Sequence, residues 1–315
     1  MIYTVTLNSA LDKTVVIPSL RVDAVNRITS MRTDPGGKGI NVSKVISKLG
    51  GESIAAGILG GDTGRAVLSA LEEMKLATCF HFAEGETRTN MKIIDPENHT
   101  NTDINEPGMT VSGEILGELL EELLAKVSGG DIVVISGSLP KGAPEDTYYV
   151  WTKEFQGRGA KVILDADGNL LKEGLKASPY LIKPNDHELS SLAGRALETP
   201  EELAETARSL MEEYHIAKAV VSMGSRGALY VLPDKTIYAE GLKVPVGSTV
   251  GAGDSVVAAL AVAEESDMSL EETIRLSMAA GAANVMESGT QAAEYEVIKE
   301  LLSKVVFRPI ATHSN

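Results

Sequence analysis

A repeated punctuation between Asp131 and Glu188 constrains the fold more than any other feature of this chain. Ile132-Val133-Val134-Ile135, Val162-Ile163-Leu164 and Leu181-Ile182 are uninterrupted apolar runs, stopped by Ser136-Gly137-Ser138, by Asp165 and by Lys183-Pro184-Asn185. A strand without polar alternation has both faces buried, the pattern of a parallel sheet covered by helices on its two sides. Ligands of such sheets sit beyond the carboxyl ends of the strands, so the polar turns are where a site is to be sought. Tyr3-Thr4-Val5-Thr6-Leu7 and Ser53 to Leu59 read as further strands. Helical spacing follows at Val42, Val45, Ile46 and Leu49, at Val67, Ala70, Leu71 and Met74, and at Ile115, Leu116, Leu119, Leu120, Leu123 and Leu124. The fold class is α/β, with a mainly parallel central sheet.

Two segments break the rhythm. Thr14 to Arg32 and Cys79 to Asn105 carry short alternating pieces, with Asp95-Pro96-Glu97-Asn98 as a turn inside the second. Together they supply enough strands for a small separate sheet inserted into one domain spanning residues 1–315. A formal net charge of −15 argues against a nucleic-acid or anionic-membrane partner, so any phosphate site must be local. Cys79 stands alone, which excludes an internal disulfide framework and fits a reducing compartment. No signal-peptide pattern opens the chain and no apolar run approaches the ~18 residues of a membrane helix, so a soluble cytoplasmic protein is expected.

Chemistry is suggested first by Ser248-Thr249-Val250-Gly251-Ala252-Gly253-Asp254-Ser255, which leads into an apolar helix from Val256. The amides of Gly251, Ala252 and Gly253 would open that helix, and a helix N-terminus is a ready anion site. Asp254 adds a carboxylate beside the same anion. That suits a base taking a proton from an attacking hydroxyl in phosphoryl transfer, although a carboxylate there also simply favours the helix dipole. Pro35-Gly36-Gly37-Lys38-Gly39-Ile40-Asn41 is a second glycine-rich loop before a helix, and it lacks the Walker A spacing. Its glycines, lysine and asparagine suit a polyhydroxylated anion, or a solvated turn.

Other candidates each have a plain structural alternative. Asp12, just past the first strand, accepts from sugar hydroxyls or caps a turn. Arg88 shares a strand face with Lys92, as a phosphate grip or as edge charges that prevent aggregation. Asp165 and Glu188, past strand ends, direct Mg²⁺-bound water or act as caps. Met223-Gly224-Ser225-Arg226-Gly227 follows Val220-Val221-Ser222 as another strand-to-glycine turn that can pass nucleotide phosphates. His81, His99, His187 and His215 show no metal-ligand spacing.

Taken together, Pro35 to Val42, Thr87-Arg88-Thr89-Asn90, Ile135 to Pro140, Ile182-Lys183-Pro184-Asn185 with Glu188, and Ser248 to Ser255 resemble the PfkB branch of the ribokinase-like sugar kinases. The resemblance runs from Met1 to about Val305. It implies a three-layer α/β/α core with a small β-sheet lid formed by about 14–32 and 79–105, and a homodimer through that lid. It implies ATP-dependent phosphorylation of a ketohexose monophosphate, with Mg²⁺ as cofactor. Fructose 1-phosphate is the first expectation, because of Lys38, Thr249 and Ala252, with tagatose 6-phosphate and fructose 6-phosphate as alternatives.

Carried over by motif, Asp12, Gly37, Asn41 and Asp254 bind sugar hydroxyls, and Asp254 is the base. Arg27, Lys38, Arg88, Asn90 and Ser138 surround the substrate phosphate, and Gly251, Ala252 and Gly253 form the anion hole. Lys183, Asn185, Ser222, Gly224 and Gly227 lie on the nucleotide side, and Glu188 is linked to Mg²⁺. Two residues depart from the family pattern: Ser9, where proline is common, which would loosen the turn presenting Asp12, and the acidic Asp167. A nicotinamide dehydrogenase is disfavoured, because Gly251-Ala252-Gly253 is followed by Val256 rather than a third small residue. A non-catalytic sugar-phosphate sensor would have no need of Asp254 or Glu188.

Overall fold

The computed structural model describes residues 1–287 and 289–310. Strand β1 (Ile2–Thr6) opens the core, the chain leaves it in β2 (Ala10–Val16) and β3 (Ser30–Gly36), and helix α1 (Lys38–Lys48) returns it. Strand β4 (Ser53–Gly60), helix α2 (Gly61–Glu73) and strand β5 (Ala77–Ala83) precede a second excursion in β6 (Arg88–Asp95) and β7 (Thr100–Asn105). The core resumes with α3 (Gly113–Lys126), β8 (Ile132–Ser136), α4 (Thr147–Gly157), β9 (Lys161–Asp165) and α5 (Gly168–Leu175). Then come β10 (Leu181–Ile182), α6 (Asp186–Ala193), α7 (Pro200–Tyr214), β11 (Lys218–Ser222), β12 (Gly227–Val231) and β13 (Thr236–Glu240). Helices α8 (Ala252–Glu265), α9 (Leu270–Met286) and α10 (Tyr295–Leu302) lead to β14 (Phe307–Ile310).

The ten-stranded sheet runs β14-β13-β12-β11-β10-β9-β8-β1-β4-β5. Its pairs are parallel from β11 to β5 and antiparallel from β11 to β14. Strand β8 shows why the apolar runs had to be central. Val133 and Ile135 pack into one core with Leu119, Leu123, Trp151 and Phe155, whereas Ile132 and Val134 face the other with Val257, Leu260 and Ile274. Each side chain so buried stabilises the fold by roughly 1.5–3 kcal/mol relative to exposure, which no polar residue at these positions would match. The second layer depends on small residues: a β-carbon at Gly281 of α9 would lie 2.9 Å from Val256 Cγ2 of α8, so the two helices pack closely. No described helix is long and apolar enough to cross a membrane.

The small sheet is β3-β2-β6-β7, with β2 antiparallel to β3, parallel to β6, and β6 antiparallel to β7. Its bounds correct the sequence reading in two places. Ala77–Ala83 does not belong to the lid but forms the edge strand of the main sheet against β4, its half-exposed pattern imitating a lid strand. At the other end the lid begins at Ala10, which places Asp12 within β2 opposite Asp34 and Asn90 rather than beyond a strand end. Ser9 does not loosen this turn, because its buried hydroxyl donates to the Thr6 carbonyl at 3.2 Å.

Candidate active site

The start of α8 is built by conformation before chemistry. Gly251, at its N-cap, has φ 81°, a left-handed value that disfavours a side chain, and Asn284 Nδ2 of α9 donates to the preceding Val250 carbonyl at 3.1 Å. The Ser255 amide donates to the Gly251 carbonyl, so the amides before it lie in the first turn, where a helix leaves them without internal partners. Asp254 occupies that turn and is buried. Its Oδ2 accepts from Asn41 Nδ2 of α1 at 2.8 Å. Burial pushes the Asp254 carboxyl above the usual aspartate range, Lys38 opposes that, Asp165 adds to it, and Asn41 and Lys183 oppose it.

Around this carboxylate the carboxyl ends of the strands deliver charge. Lys183, just past β10, lies 3.2 Å from Asp165 Oδ1 at the end of β9, and Lys38, at the start of α1, lies 3.5 Å from Asp165 Oδ2. Burial alone would raise the Asp165 pKa, but the two ammonium groups outweigh it and hold the carboxyl below its ordinary value. Asp165 chiefly raises the Lys38 pKa in return, against burial and with help from Asp254 and Glu188. Asp165 therefore serves as counter-ion to both lysines, which differs from its sequence reading as a carboxylate open to Mg²⁺-bound water. A β-carbon at Gly253 would sit 3.6 Å from Lys183 Nζ, so the lysine stands beside the amide turn.

The residues expected on the nucleotide side lie around a second loop. Asn185 and Glu188 make a reciprocal capping box on α6, at 2.7 Å and 2.9 Å, which explains both as caps. Ser222 is tied to this loop by its amide, which donates to the Pro184 carbonyl at 3.0 Å. Gly224 lies in the exposed turn after β11, and Gly227 has φ 108° with its Cα so near β13 that a β-carbon would lie 2.0 Å from the Ala239 carbonyl. Gly227 is thus required by packing in its own right.

At the lid, Asp12 is buried and accepts from Asn90 Nδ2 at 3.0 Å; Gly36 makes room for it, since a β-carbon there would lie 2.5 Å from Asp12 Cγ. Gly37, with φ 110°, turns the chain from β3 into α1. Arg88 donates to the carbonyls of Asn8 (3.0 Å) and Glu106 (3.1 Å); burial works against its charge, while Asp12 and Glu106 support it. Asn8 Nδ2 in turn donates to the Ser138 hydroxyl at 3.1 Å. A cavity of about 810 Å³ opens beside Arg88, lined also by Glu86, Glu106, Gly108 and Met109. Asp254 is not among the residues that line it. Lys92 pairs across the lid with Asp103 at 3.8 Å, and Arg27 is exposed in the loop before β3.

Sequence reasoning passed over Asn284, which holds the turn before Gly251 and stood out only as an amide in a helix of small residues. It also passed over Lys44, a lysine on the otherwise buried face of α1. The dinucleotide-binding alternative fails on position, because β13 ends at Glu240 and no strand runs directly into the Gly251 turn.

An open, mostly parallel sheet with an amide turn, a buried carboxylate and lysines at its carboxyl edge defines a phosphoryl-transfer enzyme acting on a hydroxyl. Comparison with known proteins agrees: the family model described as pfkB family carbohydrate kinase matches residues 5–296. The chain belongs to the pfkB family of carbohydrate kinases, ribokinase-like in fold, and takes ATP as co-substrate. It is 36% identical to the 1-phosphofructokinase of Bacillus subtilis (strain 168), covering 97% of this chain and 98% of that one. It is 33% identical to the 1-phosphofructokinase of Escherichia coli (strain K12), covering 97% of each. Phosphofructokinase-2 from Escherichia coli, solved in complex with substrates and products, superposes with a TM-score of 0.92 at 32% identity, over 96% of this chain and 98% of that one.

Proposed function

We propose that this kinase phosphorylates fructose 1-phosphate at its free terminal hydroxymethyl group, giving fructose 1,6-bisphosphate and ADP. The observation that carries the reading is the buried Asp254 carboxylate within the same helical turn as the amides of Gly251, Ala252 and Gly253. The sugar hydroxyl oxygen forms a bond to the γ-phosphorus, the bond from that phosphorus to the bridging oxygen of ADP breaks, and the hydroxyl proton passes to Asp254. The amide turn and Lys183 accept the charge of the transferring group, and positioning supplies most of the rate.

Arg88, Lys38, Asn90 and Ser138 are assigned to the phosphate already on the sugar, with Asp12, Gly37 and Asn41 on its hydroxyls. Arg27 joins them only through movement of its loop or from a second subunit. Among the described residues no three His, Cys, Asp or Glu side chains gather into a metal cage, which fits an ion held chiefly by water and nucleotide phosphates. Glu188, whose carboxylate also caps α6, is the residue assigned to direct such water, and Mg²⁺ when bound would supply charge neutralisation at the transferring group. Lys183, Asn185, Ser222, Gly224 and Gly227 would line the ATP side.

The homodimer is assigned to the lid, where Val22, Val25, Met31 and Ile104 are 96%, 81%, 58% and 54% exposed. Met31 of β3 and Ile104 of β7 lie on the sheet, and Val22 and Val25 lie in the loop that joins β2 to β3; apolar side chains so exposed in one inserted unit support a covered face there.

A second reading, phosphorylation of fructose 6-phosphate, is favoured by the TM-score of 0.88 at 30% identity to phosphofructokinase-2 solved with that sugar. Phosphorus NMR of the product separates the class from a sensor. The proposal expects a new phosphomonoester on fructose 1-phosphate together with ADP; ATP left intact with every ketohexose phosphate would refute it.

A further inference from the structure

The chemistry above leaves the buried charge of Lys44 unused. Lys44 lies on α1 one turn beyond Asn41 and is 7% exposed. Its ammonium donates to Asn41 Oδ1 at 3.0 Å and to the Pro35 carbonyl at 3.0 Å. Both acceptors are neutral oxygens, and among the described residues no carboxylate lies in salt-bridge contact with it. Lysine is almost never buried unless paired. Burial accordingly lowers its pKa, while Asp34 of β3, Asp12 of β2 and Asp254 of α8 support its charge and Arg32 of β3 opposes it.

We propose that Lys44 is a positioning residue for phosphoryl transfer: it holds the Asn41 amide in the one orientation that presents Nδ2 to Asp254, and anchors that amide to the end of lid strand β3 through Pro35. This rests on the proposed function and deepens it. The amide is bracketed by an ammonium, which only donates, and by a carboxylate, which only accepts while ionised. Turned over, it would set its amino group against the ammonium and its carbonyl against the carboxylate. As long as Asp254 is ionised, either neighbour enforces the orientation. Once Asp254 has taken the sugar proton, its carboxyl can donate as well as accept, and Lys44 alone still dictates the amide. With Nδ2 kept on Oδ2, the oxygen left for the sugar proton is Oδ1. A turned amide would accept from a proton on Oδ2 and draw it away from the reacting hydroxyl.

The test is a double-mutant cycle in the full chain. Lys44→Met is expected to lower kcat about tenfold while KM for ATP and for the phosphosugar stays within about threefold, the scale of a small misplacement of a reacting group. In an Asn41→Ala background the same substitution should change kcat by less than about twofold, because the amide it acts through is gone. Lys44→Arg should restore most of the turnover. An unchanged kcat in Lys44→Met, or an equal loss in both backgrounds, would overturn the proposal. If Lys44→Met does not fold, Lys44→Gln takes its place in the cycle: coupling to Asn41 supports the role and additivity overturns it. Turnover of fructose 1-phosphate by the unsubstituted enzyme bears on the function. The coupling, measured on whichever ketohexose phosphate is turned over, bears on Lys44 alone.

Discussion

Gly253 and Lys183 stand so close that a β-carbon on the glycine would lie 3.6 Å from the lysine ammonium. The amide turn and the cation proposed to share the transferring phosphoryl group are therefore neighbours: a β-carbon alone would make ordinary contact, and a branched side chain would reach further toward the ammonium. Gly253→Val should push Lys183 away from Asp165 and occupy the space of the γ-phosphate. The expected outcome is a fall in kcat of at least about tenfold, since misplacing a positioned group costs one to two orders of magnitude. Steady-state kinetics check it, with circular dichroism showing that the fold is retained.

Asp254→Asn separates catalysis from stability. Turnover should fall by at least about a hundredfold, the usual scale of general-base catalysis. Stability should move the other way. The folded carboxyl has a pKa raised mainly by burial, so the native state binds its proton more tightly than the unfolded chain does. Its favourable contribution is complete below the unfolded pKa and is lost as pH rises through the folded one, leaving a cost at neutral pH. The amide carries no such cost, and the variant's Tm at neutral pH should rise. Thermal melts at neutral pH and at pH about 4, where the difference should shrink, check the sign.

The same shift predicts a pH profile. The acid limb of kcat/KM, which reports the free enzyme, should lie above the ordinary aspartate range, because burial outweighs the opposing influence of Lys38, Asn41 and Lys183. Lys38→Met removes the largest of those opposing influences and should move the limb to higher pH. A limb that stays in place would remove Lys38 from the electrostatics of the base. The profile is read on kcat/KM as the position of the limb, since the assignment of Lys38 to the substrate phosphate affects the level of the plateau.

Much of this was legible in the sequence, for reasons that can be named. Ile132–Ile135 announced a strand buried on both faces, and it is central. The run into Val256 announced a helix with glycines and Asp254 at its start, and α8 begins there. What escaped was whatever depends on contacts distant along the chain. Asp165 looks alike as cap, ligand or counter-ion until Lys38 and Lys183 are brought to it. Ala77–Ala83 alternates because it is an edge strand of the large sheet, and the period of two does not distinguish that from a lid strand. Lys44 was missed because α1 was read by its apolar positions, whereas the informative residue is the charge buried among them.

The most direct measurement is the kcat/KM for fructose 1-phosphate, fructose 6-phosphate and tagatose 6-phosphate with ATP, followed by coupled ADP release. A site that binds both ends of one ketohexose phosphate should favour fructose 1-phosphate by at least about tenfold over each of the others, a modest requirement for polar discrimination. Preference for either 6-phosphate would contradict the substrate assignment, and ADP release with none of the three would contradict the kinase reading of Asp254 and its amide turn.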